Sequence, residues 1–167
     1  MAGGDATHDI ADMPSDLRTD IKQGRPFGSP EQEVYLNVER TAAVLNHAFA
    51  EAVKEHGITP TQYNVLRILR GAGEAGLCRN EVRDRMIAQV PDVTRLLDRL
   101  EQAGLIVRER DTEDRRQVGT RITPKGLDLL AALDDPVVEI HKRQLGHLSP
   151  EQLRTLTELL TLARARP

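Results

Sequence analysis

The segment PDVTRLLDRLEQAG, Pro91–Gly104, runs directly into two short alternating segments, Leu105–Arg110 and Gln117–Thr123, and this succession restricts the fold more than any other stretch. Stepped at ~100° per residue, Val93, Leu96, Leu97, Leu100 and Ala103 fall on one arc. Asp92, Thr94, Arg95, Asp98, Arg99 and Gln102 fall on the other. The apolar arc can pack on the short preceding segment NEVRDRMIA through Val82 and Met86. The polar arc stays free, with side chains able to bond base edges and phosphates. Two short helices joined tightly, the second presenting such a face, make a helix-turn-helix, whose second helix enters the major groove by its N-terminal residues. Thr94 and Arg95 are the expected readers. Asp98, three residues after Arg95, is expected to pair with and hold that guanidinium. An amphipathic helix with an ion-paired surface would show the same pattern, so the helix alone does not decide.

The alternating segments decide between these readings. As a hairpin following the second helix, they place the loop RDTEDRRQ, Arg110–Gln117, beside the same face. A hairpin there is a wing, and arginines at its tip would meet the adjacent minor groove, whose negative potential attracts guanidinium. From Arg79 to Arg121 the cations are Arg79, Arg83, Arg85, Arg95, Arg99, Arg108, Arg110, Arg115, Arg116 and Arg121, with no lysine among them. Bidentate contact to guanine or phosphate is what arginine offers over lysine.

The rest of the chain reads as helix. Val34, Val38, Ala42, Leu45, Phe49 and Ala52 recur at helical steps from Pro30 to before Gly57. A second helix is expected after the cap Thr59 and Pro60, burying Val65, Leu66, Ile68 and Leu69 and stopping at GAGEAG. After Thr123-Pro124 a long stretch carries Leu127, Leu130, Leu133, Val137 and Ile140, and a last helix after Ser149-Pro150 carries Leu153, Leu156, Leu160 and Ala163. Residues 1–29, rich in Gly, Pro and Asp, are expected to form an arm, either frayed or strapped onto a partner subunit through Ile10, Met13, Leu17, Ile21 and Phe27. The expected fold class is mainly α, a winged helix-turn-helix core over 59–123 flanked by dimerisation helices over 30–56 and 124–167. With aromatic residues at 2%, few large rings are left to build a stacking platform for bases, and the core must be leucine, valine and alanine.

Charge sharpens the reading. The formal net charge of −3 gives no global case for nucleic acid, so any such case is local to the arginine set. One cysteine, Cys78, excludes an internal disulfide framework and a cysteine zinc site. No signal-peptide core and no run of ~18 apolar residues occurs, which leads to the expectation of a cytoplasmic protein without a membrane span. There is no phosphate-cradling glycine loop, no HExxH and no paired ligand spacing, so neither an enzyme nor a bound cofactor or metal is expected.

GITPTQYNVLRIL, the segment VTRLLDRLEQAGLIVRERDTEDRRQV, and ITPKG resemble the winged-helix core of MarR-family transcriptional regulators. The spacing from Asp114 through Arg116 to Ile122-Thr123 and Gly126 matches that family's wing. The resemblance covers roughly Pro30 to the C-terminus. It implies a homodimer that binds a pseudo-palindromic operator, usually as a repressor, and is released by a small, often aromatic or phenolic, molecule or by cysteine oxidation. Carried over by position, Arg116 is the wing arginine in the minor groove, Asp114 the carboxylate that orients it, and Thr94 with Arg95 the major-groove readers. The full set of expected DNA-binding residues is Arg79, Pro91, Asp92, Thr94, Arg95, Asp98, Arg99, Asp114, Arg115 and Arg116. Two positions depart from the family pattern. Thr120 stands where an aliphatic residue is usual, which bears on wing packing, and Val90 precedes Pro91 where a capping Ser or Thr is common, which bears on where the recognition helix starts.

The apolar stripes of the first and last two helices exceed what the small central fold can cover, and they most economically bury one another across a two-fold axis. By resemblance an effector would lie near Asn46, His47, Phe49 and Tyr63, but their spacing demands no ligand and none is assigned. Cys78, beside Arg79 at the start of a short helix, is a redox candidate because a cation and a helix N-terminus both stabilise thiolate. Two alternatives stand beside operator binding: a winged-helix dimer that only binds protein, and a thiol redox sensor acting through Cys78.

Overall fold

The computed structural model describes residues 16–110 and 118–165. They belong to two compact units that divide after Val44. The first unit holds α1 (Leu17–Asp20) and the N-terminal part of α2 (Pro30–Glu55). The second holds the remainder of α2, then α3 (Pro60–Ala72), a 3-10 turn, β1 (Leu77–Cys78), α4 (Arg79–Arg85), α5 (Val93–Gln102), β2 (Ile106–Arg110), β3 (Val118–Ile122), α6 (Pro124–Leu145) and α7 (Pro150–Arg164). No helix among the described residues is long and apolar enough to cross a membrane.

The fold is mainly helical with one small sheet, as the sequence order predicts, and the structure adds two elements. A single helical turn, α1, lies inside the segment read as an arm, with Asp16 accepting from the backbone N–H of Arg18 at 3.2 Å. The two-residue strand β1 is too short to leave an alternation in the sequence. In α3 the expected start is realised in full. Thr59 accepts from Gln62 N at 3.2 Å, Gln62 Oε1 accepts from Thr59 N at 2.9 Å, and Pro60 opens the helix where its missing N–H costs nothing. Tyr63, Val65, Leu66 and Leu69 are buried, whereas Ile68, expected inside, is half-buried.

In the second unit the core is aliphatic. Val53, Val65, Leu66, Leu69, Val82, Leu97, Leu100, Leu130 and Leu133 are almost completely buried, which joins α2, α3, α4, α5 and α6 around one centre. The antiparallel sheet has the order β1-β3-β2, so β2 is an edge strand. Its register sets Leu77 opposite Thr120 and Arg108 opposite the same residue. Thr120, the departure noted above, is 1% exposed and the only buried polar residue among those described. It keeps a β-branched side chain at the centre of the sheet, so the wing base still closes around it.

Gly126, in the first turn of α6, is required by proximity rather than by backbone angle. A Cβ there would press on the carbonyl oxygen of Leu105 and lie 2.7 Å from Ile122 Cγ1. Alanine's helical advantage of about 1 kcal/mol over glycine offsets only part of such overpacking. Gly126→Ala is therefore expected to lower the unfolding free energy by about 1–2 kcal/mol in a denaturant titration. A variant as stable as the parent would show that the joint between wing and α6 is looser than described.

Candidate nucleic-acid interface

The two helices of the candidate interface are set by local chemistry. The helix predicted over NEVRDRMIA stops at Arg85, and Met86 is extended. The reason lies in α3, where Asn64 Oδ1 accepts the backbone N–H of Ile87 at 3.0 Å and gives it a partner outside the helix. The recognition helix α5 begins at Val93 because Asp92 caps it, accepting from Arg95 N at 2.9 Å. Asp92 thus supplies the cap that Val90 cannot, and the question of where the helix starts is resolved two residues later than the family pattern suggests. Thr94 and Arg95 consequently lie in the first turn, the part of a recognition helix that reaches base edges.

The C-terminal end of α5 is anchored by its successors. Gly104, at φ +71°, donates to Glu101 O at 2.8 Å and Leu105 N donates to Leu100 O at 3.0 Å, the paired bonds of a Schellman cap. Thr123 Oγ1 then donates to Gly104 O, and Lys125 Nζ to Ala103 O, each at 2.8 Å. A cation at the negative end of the helix dipole adds to this closure.

One face of α5 is consumed by this packing and the other is not. Val93, Leu97 and Leu100 are buried, while Pro91, Asp92, Thr94, Arg95 and Arg99 are exposed. Arg95 and Arg99 make no ion pair with any described residue. Arg79, at the start of α4, directs Nη1 to Thr94 Oγ1 at 3.4 Å and Nη2 to Asn80 Oδ1 at 3.5 Å. That guanidinium therefore links the two helices. Cys78 is half-buried opposite Gly119, and its backbone N–H donates to Glu81 Oε2 at 2.7 Å. Glu81 is held below the usual carboxylate range by that bond first and by the thiol second.

The expected pairing of Asp98 with Arg95 is not what forms. Asp98 Oδ1 lies 2.6 Å from Arg108 Nη2, because β2 turns back beside α5 and carries Arg108 between Asp98 and Glu101. Glu101 accepts the backbone N–H of Arg108 at 3.1 Å and its Nε at 2.9 Å. The hydrogen bond from Arg108 holds Glu101 below the ordinary carboxylate range, and the same bond raises Arg108. Arg121 is likewise committed, 2.8 Å from Glu109. Arg108 and Arg121 are thus held by carboxylates of the fold, whereas Arg95 and Arg99 have no such partner among the described residues. Asp114, Arg115 and Arg116 lie outside the described residues.

A cavity of about 780 Å³ lies in the second unit, lined among others by Asn46, Phe49, Tyr63, Arg67, Asp134 and His141. Of the four residues named for an effector, His47 is not in its lining. Phe49 meets Tyr63 edge-on with ring centroids 5.3 Å apart, and Arg67 Nη1 donates to Tyr63 Oη at 3.1 Å. Arg70 and Asp134 form a two-pronged ion pair at 2.7 and 2.9 Å between α3 and α6. Sequence reading missed that pair because 64 positions separate its members and each alone is an ordinary helix charge. Met86, Ile87 and Ala88, in the turn between α4 and α5, line the same cavity.

A short helix, a turn, a second helix whose Arg95 and Arg99 have no ion-pair partner among the described residues, and a hairpin laid against that helix define a winged helix-turn-helix protein. The MarR family model matches residues 58–118. The chain is 33% identical to an uncharacterized HTH-type transcriptional regulator, YkoM, of Bacillus subtilis, over 82% of this chain and 90% of that protein. It is 39% identical, with TM-score 0.63, to the crystal structure of a MarR transcription factor from Planctomyces limnophilus, covering 82% of this chain and 99% of the other. It is also similar to the structure of S. aureus MepR in complex with DNA, at 25% identity and TM-score 0.70, covering 78% and 94% of the two chains. The chain belongs to the MarR family of DNA-binding transcriptional regulators.

Proposed function

We propose that the protein is a homodimeric repressor of a pseudo-palindromic operator, released when a small aromatic or phenolic molecule enters the cavity of the second unit. The observation that carries this reading is the division of the arginines. Arg95 and Arg99 point out of α5 without a partner among the described residues, whereas Arg108 and Arg121 are neutralised. In this reading Thr94 and Arg95 contact base edges, Arg79 and Arg99 contact phosphates, and Arg115 and Arg116 lie in the minor groove with Asp114 orienting Arg116. Occupation of a site made of two half-sites about one DNA turn apart blocks transcription by steric exclusion, with no catalytic step.

Two further features support the reading. The helix α7 buries none of its residues fully, and α6 and α7 expose Val138, Leu156, Leu159 and Leu162. Separately, α2 exposes Val34, Tyr35, Val38 and Val44. Such apolar faces on a small protein call for a partner, and a two-fold axis supplies the second recognition helix about one DNA turn away. In this scheme residues 30–56 and 124–167 dimerise, 59–123 read DNA, and 1–29 form an arm. The cavity couples to DNA through the turn at Met86–Ala88, which shares its wall and leads into α5.

Selection of duplexes from a random pool by the purified protein tests this directly. A two-fold symmetric consensus is expected, and failure to enrich any sequence would favour a protein-binding winged helix instead. Arg116→Ala is expected to weaken binding to the enriched duplex and to reduce the slope of log K against log salt by about one. An unchanged affinity and slope would remove Arg116 from the interface.

A further inference from the structure

The recognition helix carries two carboxylates, Asp98 and Glu101, one turn apart on a helix whose neighbour in the complex would be a polyanion. By charge alone they oppose DNA binding. Their surroundings give them a different use. Arg108 is 25% exposed in its side chain and reaches both acids at once, Asp98 through Nη2 and Glu101 through Nε and the backbone N–H. Because β2 is an edge strand, an N–H pointing away from β3 would have no strand partner, and Glu101 Oε1 takes that of Arg108. One carboxylate therefore ties both the main chain and the side chain of the wing strand to α5. A planar guanidinium forked between two acids fixes direction as well as distance, which an ammonium does not.

We propose that Arg108, clamped between Asp98 and Glu101, is a positioning residue that fixes the wing at one angle to the recognition helix, so that both can engage one duplex together. It is not itself a phosphate contact. This rests on the operator-binding reading above. The clamp works through rigidity, since a wing already at the binding angle loses less freedom on association.

The sign of one substitution tests it. Glu101→Gln removes a negative charge from the helix proposed to meet DNA and sets an amide N–H against the guanidinium, so simple electrostatics requires tighter binding. The clamp requires weaker binding instead, by roughly tenfold, to the duplex enriched by the wild-type protein. The salt slope should stay unchanged because no phosphate contact is lost. Arg108→Lys keeps the charge but cannot fork, and is expected to lose affinity comparably. Both variants are measured below their melting temperatures, monitored by circular dichroism. Hydroxyl-radical footprinting at saturating protein is expected to show protection lost where the wing lies and kept where α5 lies. Equal or tighter binding by Glu101→Gln, full affinity in Arg108→Lys, or a footprint that fades uniformly would each overturn the clamp. Failure of the wild-type protein to enrich any duplex would instead overturn the operator-binding reading, and the clamp with it.

Discussion

Leu159→Asp combined with Leu162→Asp is expected to give a folded monomer that binds its operator ~10²–10⁴-fold more weakly than the parent. The two leucines are 58% and 69% exposed, so they contribute little to the fold of the single chain. Surface changes of this kind usually shift stability by no more than about 0.5 kcal/mol. Two aspartates on each copy, however, would place four buried charges at an isologous interface, where unpaired charges are strongly disfavoured. On the proposed dimer, loss of the second recognition helix would remove the effective-concentration advantage of the second half-site while leaving each half-site contact intact. Sedimentation equilibrium checks the assembly state, and binding to a full and a half operator checks the loss. A double variant that remains dimeric would show that α7 lies outside the interface.

Arg95→Ala is expected to weaken operator binding by about 1–3 kcal/mol, and to do so unequally across sequences. The backbone of Arg95 serves the fold, since its N–H is accepted by Asp92, but its side chain makes no ion pair with any described residue. Removing that side chain leaves the helix cap in place, so thermal stability should be nearly unchanged. The informative measurement is binding to operators altered one base pair at a time. Arg95→Ala should become indifferent to one position in each half-site, whereas Arg99→Ala, a proposed phosphate contact, should weaken all of them alike. Uniform weakening by Arg95→Ala would demote it from reader to phosphate contact.

The parts of this molecule legible in the sequence are those that repeat or that cap. The amphipathic arc of α5 needs only spacing, and Val93, Leu97 and Leu100 are buried as that arc requires. Thr59-Pro60, Thr123-Pro124 and Ser149-Pro150 each open a helix at the expected residue, because a capping hydroxyl and a proline act within one turn. What escaped reading depends on contacts across elements. Asp98 lies one turn from Arg95, and a helical rule pairs them, but a nearer guanidinium arrives from β2 and wins. Local spacing cannot rank a partner three positions away against one ten positions along once a strand has folded back. Met86 shows the same limit from the other side, since its departure from the helix is caused by an asparagine on α3. The arginine set illustrates why counting charge overstates an interface: Arg108 and Arg121 add to the count but are already answered within the protein.

The way α5 is fastened bears on how such a protein can change its target. Its head is held by Asp92 and its tail by main-chain carbonyls bonded to Thr123 and Lys125. Its inner face is held by Val93, Leu97 and Leu100. None of these attachments uses the side chain of Arg95 or Arg99. Those outward positions are therefore open to replacement while the scaffold stays as it is, and duplicated copies of such a gene could diverge in operator preference through a few substitutions without passing through an unfolded intermediate. For the engineer, the same separation makes α5 a cassette whose outward face can be rewritten on a fixed frame.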